Sequence, residues 1–409
     1  MIIINKSYIE VKGNRTFLKC KIKDTVKNSI QEFYYSTPIE YGTYLVDEVS
    51  DPFVYAAILP AVLSCQDIIC EGPVSEQLYY NIVNSLIYIV SLVNNKLINN
   101  VPQIKLIVKE TSNIKFSSFG VGCGCSLGVD SMAAITTHLN SSLLPDYNIT
   151  HLTYFNVGAH GYKNLEAVRK SYEKDLKKVK DFADSLSLPL VLIESNICLL
   201  FENMTFDQSG NFINASTVLA MQKLFKTYLY GSNEPLSTFK FDDSLAGYYE
   251  SLFFPLSSTP STQLIIANPD LTRSQKTEMI MNNELVQKNL YVCWKELIVN
   301  NNPSSSIVSI IDKKLNCTRC EKCLRTCLTL DIFGVLEKYK EIFDIPYYYS
   351  VKDKYIARVI SLKNTNAFYS DLVLLMKSKG YKLNNSIRAI IIANKLAIPS
   401  IIHKIKKLK

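Results

Sequence analysis

KFSSFGVGCGCSLGVDSMAAITTHL, residues 115–139, changes its period midway. Before the change, Phe116, Phe119 and Val121 stand among small residues as a strand requires. After it, Met132, Ala133, Ile135 and Leu139 fall on one face of a helix. The turn between them is Ser126-Leu127-Gly128-Val129-Asp130-Ser131. A small-residue turn from strand to helix leaves backbone N–H groups unpaired at the positive end of the helix dipole, an arrangement that favours a phosphate. The hydroxyls of Ser126 and Ser131 add donors. The Gly-Lys-Ser/Thr ending of a Walker A loop is missing, so another type of phosphate loop is expected. The plain alternative is an ordinary strand-to-helix turn with a capping serine.

The remaining composition sets the class. The chain has 409 residues, 47% hydrophobic and 20% charged, enough for two or three folded domains. Its net charge of +8 suits an anionic substrate such as a nucleotide, but the cations are spread out and do not point to nucleic acid. The lysines at 404, 406, 407 and 409 read as a solvated helix end. The opening MIIINKSYIEVKGN turns polar too early for a signal peptide, and asparagines interrupt the apolar stretch Tyr79–Leu97. A cytoplasmic protein without a membrane span is expected, whose 11 cysteines serve metal or redox chemistry rather than disulfides.

Outward from the turn, strand and helix signals alternate. Residues 1–112 form an N-terminal α+β region with strands near Thr16–Ile22, Glu32–Tyr35 and Asp67–Cys70 and helices near Pro52–Ser64 and Ser75–Asn99. It is read as a lid, a substrate platform or a homodimer surface. Residues 113–290 continue with strands His151–Val157 and Pro189–Glu194, a helix Leu165–Leu186 between them, and a strand Thr227–Tyr230 ending at Gly231-Ser232-Asn233. This is the order of a doubly wound parallel sheet, α/β in class, in which ligands lie beyond the carboxyl ends of the strands. Residues 122–126, 156–160 and 194–196 should therefore converge, which makes His160 and Ser232 candidates for substrate contact. Thr272 is placed to cap a helix that presents Arg273 and Lys276. Residues 336–409 read as a C-terminal helical cap, with helices near Phe368–Lys379 and Ser386–Leu396.

The sharpest local signal lies in residues 291–335. Cys317, Cys320 and Cys323 form two overlapping C-x-x-C units, and Cys293 or Cys327 is available as a fourth ligand. Four soft thiolates suit a tetrahedral, closed and therefore structural Zn²⁺ site; an iron–sulfur cluster is the rival.

Two of these signals together resemble the N-type ATP pyrophosphatases, the PP-loop or adenine nucleotide alpha hydrolase superfamily. Ser126, Gly128, Asp130 and Ser131 match its SGGxDS loop, and Leu127 stands where the pattern has its first glycine. Cys293-Trp294 before Cys317, Cys320 and Cys323, with Arg325 following, is similar to the zinc element of 7-cyano-7-deazaguanine synthases, and so is the Thr-Arg-x-x-Lys segment at 272–276. The resemblance selects Cys293 as fourth zinc ligand and covers roughly Phe116–Leu330. It implies that Ser126, Gly128, Val129, Asp130 and Ser131 hold the phosphates of ATP with Mg²⁺. It implies also that Phe155, Asn156 and Val157 hold the adenine, and that Arg273 and Lys276 meet substrate or phosphate. ATP would adenylate a carbonyl oxygen of a small-molecule or carrier-bound substrate, releasing pyrophosphate, and a nucleophile would then displace AMP. Asp130 would orient the loop or a metal-bound water.

The nucleophile is read from Cys123 and Cys125, which alternate on the strand just before the loop. A thiolate there, near a helix N-terminus, is placed to carry a persulfide. On that spacing the reading leans to sulfur insertion and a thioamide product, with a protein persulfide or sulfide as donor. Small residues packed in a crowded strand are the plain alternative. Nitrogen insertion or ligation of the deazaguanine type is the other enzymatic reading. Leu127 gives some weight to a non-catalytic nucleotide-binding protein.

Overall fold

The computed structural model describes residues 1–159, 165–293 and 314–393. His160, Trp294, the end of the expected helix at 386–396 and the terminal lysines lie outside them. The chain divides into two compact units. One comprises Met1–Ser126 and Ala134–Asp270; the other comprises Leu127–Ala133 and the chain from Leu271 onward.

The first unit is built on one sheet of 11 strands. In chain order they are β1 (Ile2–Ile4), β2 (Tyr8–Lys12), β3 (Arg15–Asp24), β4 (Ser29–Pro38), β5 (Ile68–Cys70), β6 (Leu106–Val108), β7 (Gly120–Gly124), β8 (His151–Asn156), β9 (Leu190–Ser195), β10 (Phe225–Gly231) and β11 (Gln263–Ala267). Their order across the sheet is β11-β10-β7-β8-β9-β4-β3-β1-β5-β6, with β2 on β3. Strands β7 to β11 are all parallel. The antiparallel pair β9 and β4 joins them to the N-terminal strands, so residues 1–108 and 120–267 share one sheet. From β7 the chain steps to β8 and β9 on one side, then returns to β10 and β11 on the other. The switch point of this mixed α/β, mostly parallel sheet therefore lies between β7 and β10.

Helices cover the sheet where the sequence is apolar. Asp51–Ser64 (DPFVYAAILPAVLS) is buried on nearly every face, as its almost continuous apolar run requires, and packs on the helix Phe206–Leu219. The latter starts earlier than its apolar pattern suggests, because Thr205 and Gln208 form a capping box. The stretch after Ser75 is helical over Glu76–Val93, with a π turn at Ile82–Leu86. Strand β11 has no alternation to announce it; the parallel pairing of residues 263–267 with β10 creates it.

Strand β7 is hemmed in by β8 and β10. A Cβ on Gly122 would lie 2.7 Å from the Phe225 ring and 2.8 Å from that of Tyr228, both on β10. The glycine-rich GVGCG run is thus what lets aromatic side chains of β10 lie over β7.

The second unit is helical among its described residues: Arg273–Ile280, Glu284–Asn289, Glu321–Ile332, Ile345–Ser361, Ala367–Ser378 and 385–393. Thr272, Asn283, Asp344 and Asn366 cap four of these helices with side-chain oxygens. Among the described residues of the chain, no helix is long and apolar enough to cross a membrane.

Gly122→Ala should lower stability by about 1–3 kcal/mol through overpacking against Phe225 and Tyr228. Chemical denaturation monitored by circular dichroism measures this, and an unchanged midpoint would contradict the packing described.

Candidate functional site

In the second unit, Leu127 begins the turn with φ of +59°, a left-handed conformation that branched side chains rarely adopt. Two contacts hold it there: its side chain is buried, and its carbonyl accepts from Tyr291 N at 2.8 Å. The residue where a glycine is expected therefore takes a glycine's conformation. The turn then closes on Gly128, whose carbonyl accepts from Met132 N at 2.9 Å and from the Ser131 hydroxyl at 3.1 Å. Val129 and Asp130 open the helix Val129–His138. Ser126, which belongs to the first unit, is exposed.

Asp130 gathers cations. Its carboxylate accepts from Arg273 Nη2 at 2.6 Å and from Lys276 Nζ at 3.3 Å, and Lys276 is only 1% exposed. The Thr272–Gln275 capping box fixes the start of the helix that carries both. Ser274 N and Oγ donate to Asp371 Oδ2 at 3.0 and 2.6 Å, tying this helix to Ala367–Ser378. Sequence reasoning singled out Asp130, Arg273 and Lys276, and the structure brings them together.

It also brings two cations that were not assigned to a ligand. Burial, followed by the Arg273 and Arg325 guanidiniums, pushes Lys322 down to about 8, while Asp130 acts the other way. Burial and then Arg273 push Arg325 down to about 10, against Tyr355, Glu321 and Asp130. The Arg325 guanidinium lies 3.8 Å from the centroid of the Phe368 ring and that of Arg273 lies 5.3 Å from it. Four cationic side chains thus share Asp130 as their common counter-charge, a surplus suited to a multiply charged anion. The sequence hint was that Lys322 and Arg325 stand three residues apart within the cysteine run, and so on one helix face.

The four cysteines are the second feature of this unit. The sulfurs of Cys293, Cys317, Cys320 and Cys323 all lie within 4.8 Å of one another. Cys317 and Cys323 are 3.8 Å apart and Cys320 and Cys323 3.3 Å, close to the roughly 3.8 Å edge of a tetrahedron with Zn–S bonds near 2.3 Å. The arrangement is compatible with one zinc ion. Cys327, the other candidate, is not in the group. Backbone N–H groups of Cys317, Arg319 and Cys320 point at cluster sulfurs, each at 3.3 Å, as donors that stabilise thiolates. Thr318, β-branched yet at φ of +57°, makes the turn between the first two C-x-x-C cysteines. Hydrogen bonds from the other thiols, Cys293 first, pull Cys317 strongly down, and the bond from Cys293 pulls Cys320 down as well.

The first unit holds the other candidates at the ends of its parallel strands. Phe155 stacks on Tyr228, with ring centroids 6.1 Å apart. Asn156 Nδ2 donates to Glu194 Oε2 at 3.4 Å, and Glu194 pairs with Arg15 at 3.0 Å; Val157 is buried. Ser232 is fully buried, its hydroxyl donating to Asn268 O at 2.9 Å, so it fixes the end of β10 rather than facing outward. Glu250, not singled out by sequence, locks the same loop. Its carboxylate accepts from Asn233 N (2.5 Å), Asn233 Nδ2 (2.9 Å), Asn211 Nδ2 (2.9 Å) and Glu234 N (3.3 Å), while burial pushes it up to about 7. A lone carboxylate in the apolar run YYESLFF was the only sign of it.

Cys123 and Cys125 are 0% and 1% exposed, and burial pushes the Cys123 thiol well up, with Cys125 adding to the effect. The expected accessible thiolate is not what this strand presents: both sulfurs are packed in the crowded sheet. A helix start nearby does not offset removal from water.

Comparison with protein-family models, curated proteins and solved structures gave no match.

Anaerobically purified protein should hold one tightly bound zinc per chain, and Cys317→Ser should lose the metal and soluble yield together. Iron with acid-labile sulfide in elemental analysis would overturn this. In native protein, iodoacetamide should label the exposed Cys65 well before Cys123 or Cys125, as read by peptide mass spectrometry. Prompt labelling of Cys123 would restore an accessible thiol.

Proposed function

We propose that this protein is an ATP-dependent adenylating enzyme that forms AMP and pyrophosphate. The observation that carries the reading is the left-handed turn at Leu127, leading into a helix whose Asp130 organises Arg273 and Lys276. Leu127 adopts the conformation of the glycine it replaces, which counts against a degenerate, purely binding module. The resemblance of 126–131 to the SGGxDS loop supplies the chemistry. The carbonyl oxygen of an acceptor attacks the α-phosphorus of ATP, the bond from that phosphorus to the bridging oxygen breaks, and pyrophosphate leaves. Mg²⁺ arriving with ATP would neutralise part of the phosphate charge. Arg273 and Lys276, pre-oriented by Asp130, would stabilise the charge growing on the leaving pyrophosphate without reorganising.

Adenylation turns the acceptor oxygen into a good leaving group, and a nucleophile then expels AMP. Burial of Cys123 and Cys125 favours a nucleophile arriving from solution over a persulfide carried on the chain. Hydrosulfide, giving a thiocarbonyl or thioamide, and ammonia, giving an amide, amidine or nitrile, both meet that requirement; product mass separates them. Zn²⁺ on the four cysteines is proposed as a closed site that takes no part in bond making.

Asp130→Asn keeps the side-chain shape but removes the charge that orders the two cations. With acceptor present, pyrophosphate release should fall about 100-fold or more while the circular dichroism spectrum stays that of the parent. Release at the parental rate in both Asp130→Asn and Lys276→Met would overturn the assignment.

A further inference from the structure

We infer that a divalent metal on Cys293, Cys317, Cys320 and Cys323 governs how tightly the cations around Asp130 bind pyrophosphate. The inference rests on the reading above that this cluster takes a polyphosphate, and gives the cysteine site a positioning role in binding.

The connection is the helix Glu321–Ile332. Cys320 is its N-cap residue and Cys323 lies in its first turn, so two of the four ligands bracket Lys322. Arg325 follows three residues after Lys322, on the same face. The helices beginning at Arg273, Glu284, Ile345 and Ala367 are each capped by a side-chain oxygen, but this one has no side-chain cap bond. A metal joining Cys320 and Cys323 to Cys317 and Cys293 would do the work of that cap, holding the first turn, and with it Lys322 and Arg325, in one place.

The same helix reaches the cations around Asp130. The Arg325 guanidinium lies 3.8 Å from the centroid of the Phe368 ring and that of Arg273, which pairs with Asp130, lies 5.3 Å from it. Without the metal, the first turn loses its tether. Pyrophosphate binding and metal retention must then strengthen each other by the same factor.

Full-length protein, its metal content measured, is titrated with inorganic pyrophosphate by isothermal calorimetry. Lys322→Met and Arg325→Met leave every cysteine in place, so they should keep the metal and weaken pyrophosphate binding tenfold or more. Metal-stripped protein should lose at least as much, and refilling should restore it. If circular dichroism shows that stripping unfolds the chain, the reverse measurement decides. Pyrophosphate should slow metal transfer to a chromogenic chelator in the parent, but not in the Lys322→Met/Arg325→Met double variant, which also controls for chelation by pyrophosphate itself. Parental pyrophosphate affinity in both single variants, together with equal chelator rates with and without pyrophosphate in the parent, overturns the inference. If Arg273→Met then still abolishes binding, the polyphosphate reading stands and only the coupling fails. A parent protein that takes up no pyrophosphate overturns both.

Discussion

One carboxylate, held by a guanidinium at 2.6 Å and an ammonium at 3.3 Å, is the contact on which the helical unit depends. Asp130 sits in the first turn of its helix, where a negative charge is favoured by the dipole, and it is the shared counter-charge of four cations drawn from two other helices. Like charges near one another in a partly buried site oppose folding unless something compensates. Asp130 compensates in part, and the Phe368 ring, faced by both arginines, compensates further. The helices Arg273–Ile280, Glu321–Ile332 and Ala367–Ser378 pack on one another around this arrangement.

Two turns in the same unit hold residues in a conformation they resist. Leu127 and Thr318 are both left-handed, and neither is glycine. Each such residue costs on the order of 1–3 kcal/mol and persists only where its surroundings over-determine it. Around Leu127 the over-determination comes from a buried side chain and a backbone bond from Tyr291; around Thr318 it comes from complete burial and a hydroxyl that accepts from Asp344 N at 2.8 Å.

Cysteine plays two unrelated parts in this chain, and what surrounds each buried sulfur separates them. On β7, Cys123 is surrounded by sheet and gains no charged or donor partner strong enough to offset desolvation, so it stays a thiol. At Cys317, neighbouring thiols and then the Arg319 N–H overcome the same desolvation, and at Cys320 the Cys293 thiol does so.

Much of this was legible in one dimension because it is local. The change of period at residue 126, the C-x-x-C spacing and the Thr272 cap depend on neighbours a few residues apart, and the alternating strands and helices announced a parallel sheet. The switch point between β7 and β10, the strand Gln263–Ala267 and the joining of residues 1–108 to the same sheet arise from pairings between distant segments, which alternation does not encode. The cation cluster shows the limit most plainly. Asp130, Arg273, Lys322 and Arg325 are ordinary helix residues in sequence, separated by up to 195 positions. That Asp130 pairs with Arg273, and that Cys293 rather than Cys327 completes the cysteine group, is settled by which side chains the helices bring within a few ångströms, since charge and coordination act through space rather than along the chain.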